Sequence, residues 1–396
     1  FQGGSHYVNG QSVPRPGASI KSIVELEEFK NITAIPDQAF FQCGNLTEIT
    51  IPINVQSLGM FAFGSTNLTH VKIPNSVSSI NYTAFDGSPI VSFDTGSNIN
   101  YKTTNGILRN ADGILVKYPE GRLDKEYTTD ENITGLGAWS IKNTNLEVLN
   151  IGDTVVSHGD RSISNNKYLT TINLGSSISA KNLAVNITTN ELLTNINVSD
   201  NHQSLCSVDG VVYDITRSTV WKYPEGRNYI NLDTSATKIG NHALSACLKL
   251  ADLNIPDHIE IIAADGAYAC QNVQQIIFND TSRLHTLEDR AFQLASKATF
   301  VQLPASLKTV KDLTFGNCFL LGDILFLGDE APTITNTSST DAPARIICGM
   351  LLSFPYPSSI SLIIRGTITA GDTAAITLPM IAASKTDTFN NIGASI

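Results

Sequence analysis

Between Leu46 and Pro89 one 22-residue phrase is written twice, and few folds can accommodate such a repetition. The first copy reads Leu46-Thr47-Glu48-Ile49-Thr50-Ile51-Pro52, then Val55, Leu58 and Ala62-Phe63. The second reads Leu68-Thr69-His70-Val71-Lys72-Ile73-Pro74, then Val77, Ile80 and Ala84-Phe85. Apolar residues at the fourth and sixth places alternate with the strand period of two. The later apolar spacing suits a tight bend followed by one helical turn. A single unit has too few apolar side chains to offset the entropy of ordering its backbone, so copies must stack.

More copies follow. Ile90, Leu146, Leu169, Leu193, Leu250, Val273, Ala298 and Leu321 open further strands, making ten starts with Leu46 and Leu68. Steps are 22 to 25 residues wherever nothing intervenes. An irregular unit near Ile23, with Ile35-Pro36, Ala39-Phe40 and Cys43, resembles the back half of a repeat and is expected to cap the N-terminal end. Two interruptions break the period. In the first, Gly106-Ile107-Leu108 and Ile114-Leu115 flank Asp112-Gly113, which predicts a β-hairpin, before Lys117-Tyr118-Pro119-Glu120-Gly121-Arg122. The second repeats it about 104 residues later, as Asp209-Gly210-Val211-Val212-Tyr213 and Trp221-Lys222-Tyr223-Pro224-Glu225-Gly226-Arg227.

The expected organisation is a leader over 1–22, a solenoid over 23–330 with hairpin insertions at about 100–127 and 205–231, and a β-rich cap or appendage over 331–396. Strand-like runs in the last part are Leu362-Ile363-Ile364 and Ile376-Thr377-Leu378-Pro379. Phe1-Gln2-Gly3 reads as the tail of an engineered protease site, so a signal or lipid anchor is expected to have been removed upstream.

A period of about 20 to 29 residues with leucine-like side chains at places one, four and six is the signature of a leucine-rich repeat. The fuller text, Leu-Thr-x-Ile-x-Ile-Pro, Val-x-x-Ile, Ala-Phe and a terminal Cys-x-x-Leu, resembles the BspA-like class of these repeats. The Tyr-Pro-x-Gly-Arg hairpins are also similar to that class. So is the tail from Ala382 to Ile396, which looks like the closing segment of such proteins from gut Bacteroides-type bacteria. The resemblance implies an α/β leucine-rich-repeat solenoid with a parallel sheet on its concave face. It also implies an extracellular or cell-surface location, and host or matrix proteins as partners.

Composition narrows the function classes. With 26 basic against 36 acidic residues, net charge −10 and no basic stripe, nucleic acid and anionic lipid are disfavoured partners. No uncharged apolar run approaches a membrane span. Cys43, Cys247, Cys270 and Cys318 each precede the next repeat start by three residues, a recurring buried position that favours free thiols over a bridge. No Cys-x-x-Cys pair, His-Glu-x-x-His, Gly-x-Ser-x-Gly or phosphate loop is present. The reading therefore contains no catalytic residue, metal site or cofactor.

Places three and five of each strand point away from the core. They carry His70 and Lys72, then Asn150, Asn173, Asn197 and Asn254 in a recurring row, then Gln275 and Ile277, Phe300 and Gln302, and Leu325. Ile277, Phe300 and Leu325 are expected to form an apolar cluster with Phe300 as its anchor, either a contact site or a surface covered by residues 331–396. The expected function is a non-enzymatic adhesion module that binds a protein, with a glycan as a second ligand class. A parallel β-helix enzyme acting on acidic polysaccharide would need Lys and Arg converging on this face, which carries one Lys and no Arg. A passive spacer is the third reading.

Overall fold

The computed structural model describes residues 5–8, 11–14, 16–23, 26, 31–328, 332–334 and 361–364. They divide into two compact units, residues 1–182 with 186–190 (unit 1) and residues 183–185 with 191–396 (unit 2). Each unit is a stack of short-stranded coils. A coil has a front strand such as His70–Lys72, a back strand such as Ser79–Ile80, and a third side of tight turns carrying the Ala-Phe pair.

Neighbouring coils pair in parallel on both strand sides. In unit 1 the front register is Val148↔Thr171 and the back register is Ala34↔Ser57↔Ser79. In unit 2 the front runs Gln275↔Phe300↔Asp323 and the back Lys238↔Ile261↔Thr286↔Thr309. The N-terminal unit is a full coil rather than a half: Ser22–Ile23 pairs with Glu48–Ile49, and Ala34–Ile35 with Ser57–Leu58. The leader includes an antiparallel pair, Ser5–Val8 with Gln11–Pro14. All ten strand starts, from Leu46 to Leu321, are at most 1% exposed and form the apolar spine of their own unit. The Ala-Phe rings continue it; Phe40, Phe63 and Phe85 stack with centroids 5.4 and 5.5 Å apart.

The helical turn expected after the back strand is replaced by paired tight turns, so the α part of the expected α/β repeat is absent there. The reason lies in where the backbone N–H groups go. Gln38, Phe40 and Gln42 donate to Met60, Ala62 and Gly64 of the next coil at 2.8, 2.8 and 2.9 Å. Ala39, Phe41 and Cys43 donate locally, to Pro36, Gln38 and Phe40. A helix would direct every N–H along its own axis and leave this side unpaired between coils. The alternation needs left-handed residues four apart, Gln38 (φ 58°) and Gln42 (φ 60°), and the pair recurs at Phe61/Ser65, Arg161/Asn165, Asp265/Ala269 and Leu313/Asn317.

The third side leaves one carbonyl per coil for a side chain to satisfy. Ser88 Oγ donates to Phe63 O at 2.6 Å, Asn166 Nδ2 to Ile141 O at 3.0 Å and Asn190 Nδ2 to Ile163 O at 3.1 Å. Cys270 Sγ donates to Leu244 O at 3.1 Å and Cys318 Sγ to Phe292 O at 3.4 Å. The cysteine position is thus a column of weak donors as well as small apolar groups. Cys43, Cys206, Cys247, Cys270 and Cys318 are free thiols, and burial pushes Cys318 up to about 12. Cys348 lies outside the described residues.

Each insertion is a three-stranded antiparallel meander. The first comprises Tyr101–Thr104, Ile107–Asn110 and Ile114–Lys117; the second, Leu205–Val208, Val211–Asp214 and Thr219–Lys222. The hairpin about Asp112-Gly113 is present, and a further strand precedes it. Asn105 (φ 51°) with Gly106 (φ 78°), and Asp209 (φ 47°) with Gly210 (φ 70°), make the turns, whose two positive φ angles match the right-handed strand twist. The third strand of each meander joins the back sheet in parallel, Ile114↔Gly135 and Thr219↔Lys238. Ser361–Ile364 extends the front sheet of unit 2 as a parallel partner of Asp323–Phe326. The run Ile376 to Pro379 lies outside the described residues.

Asn166 is fully buried, and its Oδ1 also accepts from Thr144 N and Oγ1 at 3.0 and 2.8 Å. Asn166→Ala is expected to destabilise unit 1 by about 3 kcal/mol or more, since several buried polar groups lose partners at once. The midpoint of urea unfolding measures this.

Candidate binding face

The front strands place every sequence-predicted face residue outward, and none of them is buried. In unit 1, His70 and Lys72 are exposed and face Ser92 and Asp94 across the register. Asn150 and Asn173 are half-buried because their amides are engaged with neighbours. Asn150 Nδ2 donates to Glu126 Oε1 at 2.7 Å and to Thr128 Oγ1 at 3.0 Å, and Asn173 Nδ2 donates to Asn150 Oδ1 at 2.6 Å. That stretch of the asparagine row bonds to itself along the sheet. In unit 2, Asn197 and Asn254 are exposed.

The apolar cluster has a different shape from the expected one. Ile277 stands opposite Gln302, which stands opposite Leu325, whereas Phe300 lies between Gln275 and Asp323 in the adjacent column. Phe300 is therefore diagonal to Ile277 and Leu325, and polar groups separate the three along the register. All three are half-buried, and Gln302 Nε2 is tied to Phe278 O at 2.9 Å. The face is a mosaic of apolar and amide groups. The alternative that residues 331–396 cover it rests on positions outside the described residues, apart from Ser361–Ile364, which continues the sheet sideways.

A second constellation, missed at the level of sequence, fastens each insertion. In unit 1, Lys117 Nζ lies 2.8 Å from Asp86 Oδ1 and 2.6 Å from Glu120 Oε1, and Lys142 Nζ lies 2.6 Å from Asp86 Oδ2. Burial alone would lower the Lys117 pKa, but the charges of Glu120 and Asp86 and their hydrogen bonds outweigh it and raise it. Arg122 packs over the Tyr118 ring at 5.8 Å and donates to Asn105 O, the carbonyl at the tip of the meander, at 2.7 Å. Gly121 passes so close to Pro89 that a Cβ would lie 2.2 Å from its carbonyl oxygen. In unit 2, Lys222 and Glu225 pair at 2.6 Å, both almost fully buried, and Arg227 stacks on Tyr223 at 5.6 Å and bonds to Asp209 O. The signal was available: Lys and Glu recur three apart in both copies of Lys-Tyr-Pro-Glu-Gly-Arg. Among the described residues, no group of three or more His, Cys, Asp or Glu could hold a metal ion, and no helix is long and apolar enough to cross a membrane.

The model of the BspA type leucine rich repeat region matches in six copies, over residues 19–107, 124–207 and 219–334. The chain belongs to the BspA-type leucine-rich repeat family. The gap at 208–218 falls within the second meander, and the gap at 108–123 begins within the first and runs on through Arg122. No curated protein matches the chain in sequence. Among solved structures it is similar to a leucine rich cell surface protein from Faecalibacterium prausnitzii, at 19% identity and TM-score 0.33, over 78% of this chain and 59% of that one. It is also similar to PcpA, a pneumococcal vaccine antigen, at 15% identity and TM-score 0.45, over 91% of each chain. A leucine-rich repeat protein from Bacteroides ovatus gives 16% identity and TM-score 0.29, over 91% and 92%. The chain thus spans about three fifths of the length of the Faecalibacterium protein.

Two outcomes follow for this BspA-type solenoid. Lys222→Met leaves Glu225 buried without its cation and is expected to cost about 3–5 kcal/mol in chemical denaturation. Adding Glu225→Gln is expected to recover part of that loss. Burial holds His158, His242 and His258 below the ordinary imidazole value of 6.5. His158 is fixed neutral, with Nε2 2.7 Å from Ser179 O and Nδ1 accepting from Asn186 Nδ2 at 2.6 Å. As pH falls through 6.5 the unfolded imidazoles bind protons first, so stability drops from there toward the lower folded values. The melting temperature should be lower at acidic than at neutral pH, with a smaller difference in His158→Gln, by calorimetry.

Proposed function

We propose that the protein is a non-enzymatic, surface-displayed binding module that takes a protein ligand on the front sheet of unit 2, with Phe300 as its anchor. The observation that carries this reading is the mosaic of that face. Ile277, Phe300 and Leu325 are partly accessible and spaced by Gln275, Gln302 and Asp323. Apolar centres ringed by hydrogen-bonding groups match the core-and-rim composition of protein interfaces, and a central aromatic is the usual site of concentrated binding energy. Membership of a leucine-rich-repeat family supports a protein-binding role. The cell-surface description of the Faecalibacterium relative supports display outside the cell, where a host or matrix protein is the natural ligand class.

The test is a binding array of extracellular matrix proteins against the whole chain, followed by Phe300→Ala. The expected result is a ligand whose affinity falls at least about tenfold in the variant, with an unchanged melting temperature. Retained binding, or a fall in melting temperature with binding intact, overturns the assignment of Phe300 as anchor.

A further inference from the structure

The buried charges of unit 1 include groups that its meander does not need for attachment. The second copy of the motif serves as an internal control, since a buried Lys222–Glu225 pair fastens that meander. The two copies align through their backbone bonds, Tyr118 N to Ser140 O and Tyr223 N to Ala243 O, both 2.8 Å. On that alignment Ser245 and Ala246 stand in unit 2 where Lys142 and Asn143 stand in unit 1. Lys142 and Asn143 converge with Asp86 and Glu120 beside a cavity of about 460 Å³, whose polar side-chain lining includes Ser65, Asn67, Glu120 and Asn143. That volume lies within the range of about 300–1,000 Å³ typical of small-molecule sites.

We propose that this cavity is a binding site for a neutral, hydroxyl-rich ligand, namely a sugar residue of a glycan. Glu120 is a preorganised acceptor. Its carboxylate is only 8% exposed as a residue and is held by Lys117 Nζ at 2.6 Å, Gly87 N at 3.1 Å and Asn143 Nδ2 at 3.0 Å, yet it lines the cavity. Oε2 already accepts from both Gly87 N and Asn143 Nδ2, so the place left for a further donor is on Oε1, beside Lys117. The Asn143 and Asn67 amides and the Ser65 hydroxyl offer donors and acceptors side by side, which suits vicinal hydroxyls that both give and receive. Two carboxylates and two ammonium groups cancel behind the site, so nothing there selects an anion or a cation. No aromatic ring lines the cavity, which disfavours a base or another flat ligand. The mouth is open at Gly44, where a Cβ would meet nothing within 4 Å.

This inference does not depend on the protein-binding reading, and its test separates the two. Saturation-transfer NMR and titration of the whole chain would use methyl glycosides of galactose, mannose, fucose and N-acetylglucosamine, with sialic acid as the charged comparison. At least one neutral glycoside is expected to bind, about tenfold more weakly in Asn143→Ala and in Asn67→Ala, and unchanged in Phe300→Ala. Asn67→Ala decides the matter if Asn143→Ala also lowers the melting temperature. No transfer to any neutral glycoside, undiminished binding in Asn67→Ala, or a preference for sialic acid over every neutral sugar would overturn the proposal.

Discussion

The fold depends on a hydrogen bond from one coil to the next, made on all three sides. Strands of two to four residues would be worthless as isolated pairs, and no side of the coil is long enough to form a helix worth keeping. Stacking solves both problems, because each backbone donor that points along the stack meets a carbonyl one period away. Once that ladder exists, most strand residues of the coils acquire neighbours 22 to 26 positions distant, and each stack is better described by columns than by elements. Within each unit the apolar spine and the side-chain donors (Ser88 and Asn166 in unit 1, Cys270 in unit 2) form such columns, joined in unit 1 by the stack of Phe40, Phe63 and Phe85.

Interrupting a stack exposes its interior, and each meander answers that by returning its third strand to the back sheet. The attachment is chemical as well as topological. A lysine and a glutamate three residues apart are taken out of water together, an arginine reaches the carbonyl at the tip, and a glycine permits the close crossing. Such buried pairs add little net stability over apolar groups of the same shape, but they penalise every misaligned docking that would leave one charge alone. Their value here is in setting where the meander sits, and the identical motif in both units is consistent with that use.

Two surfaces of different character result. The front sheet of unit 2 offers half-buried apolar side chains separated by amides, a surface able to exclude water around a few anchors. The cavity of unit 1 is lined by Ser65, Asn67, Glu120 and Asn143 over a balanced cluster of two carboxylates and two ammonium groups. In unit 1 the front sheet itself is less available, because Asn150, Asn173 and Glu126 already satisfy one another.

The sequence alone determined the solenoid, its phase and the inward or outward sense of each strand residue. The reason is that a period repeated ten times leaves one way to bury the same places, and every start from Leu46 to Leu321 is buried as that demands. It also marked the outward residues, the two insertions and the repeating thiol position. Only the tertiary structure decided the rest. Left-handed turns replaced the expected helical turn because the neighbouring coil competes for the N–H groups, and that competitor does not exist within one repeat. Asp86 met Lys117, 31 residues on, and Lys142, 56 residues on, because stacking joins residues whose separation in the chain carries no local signal.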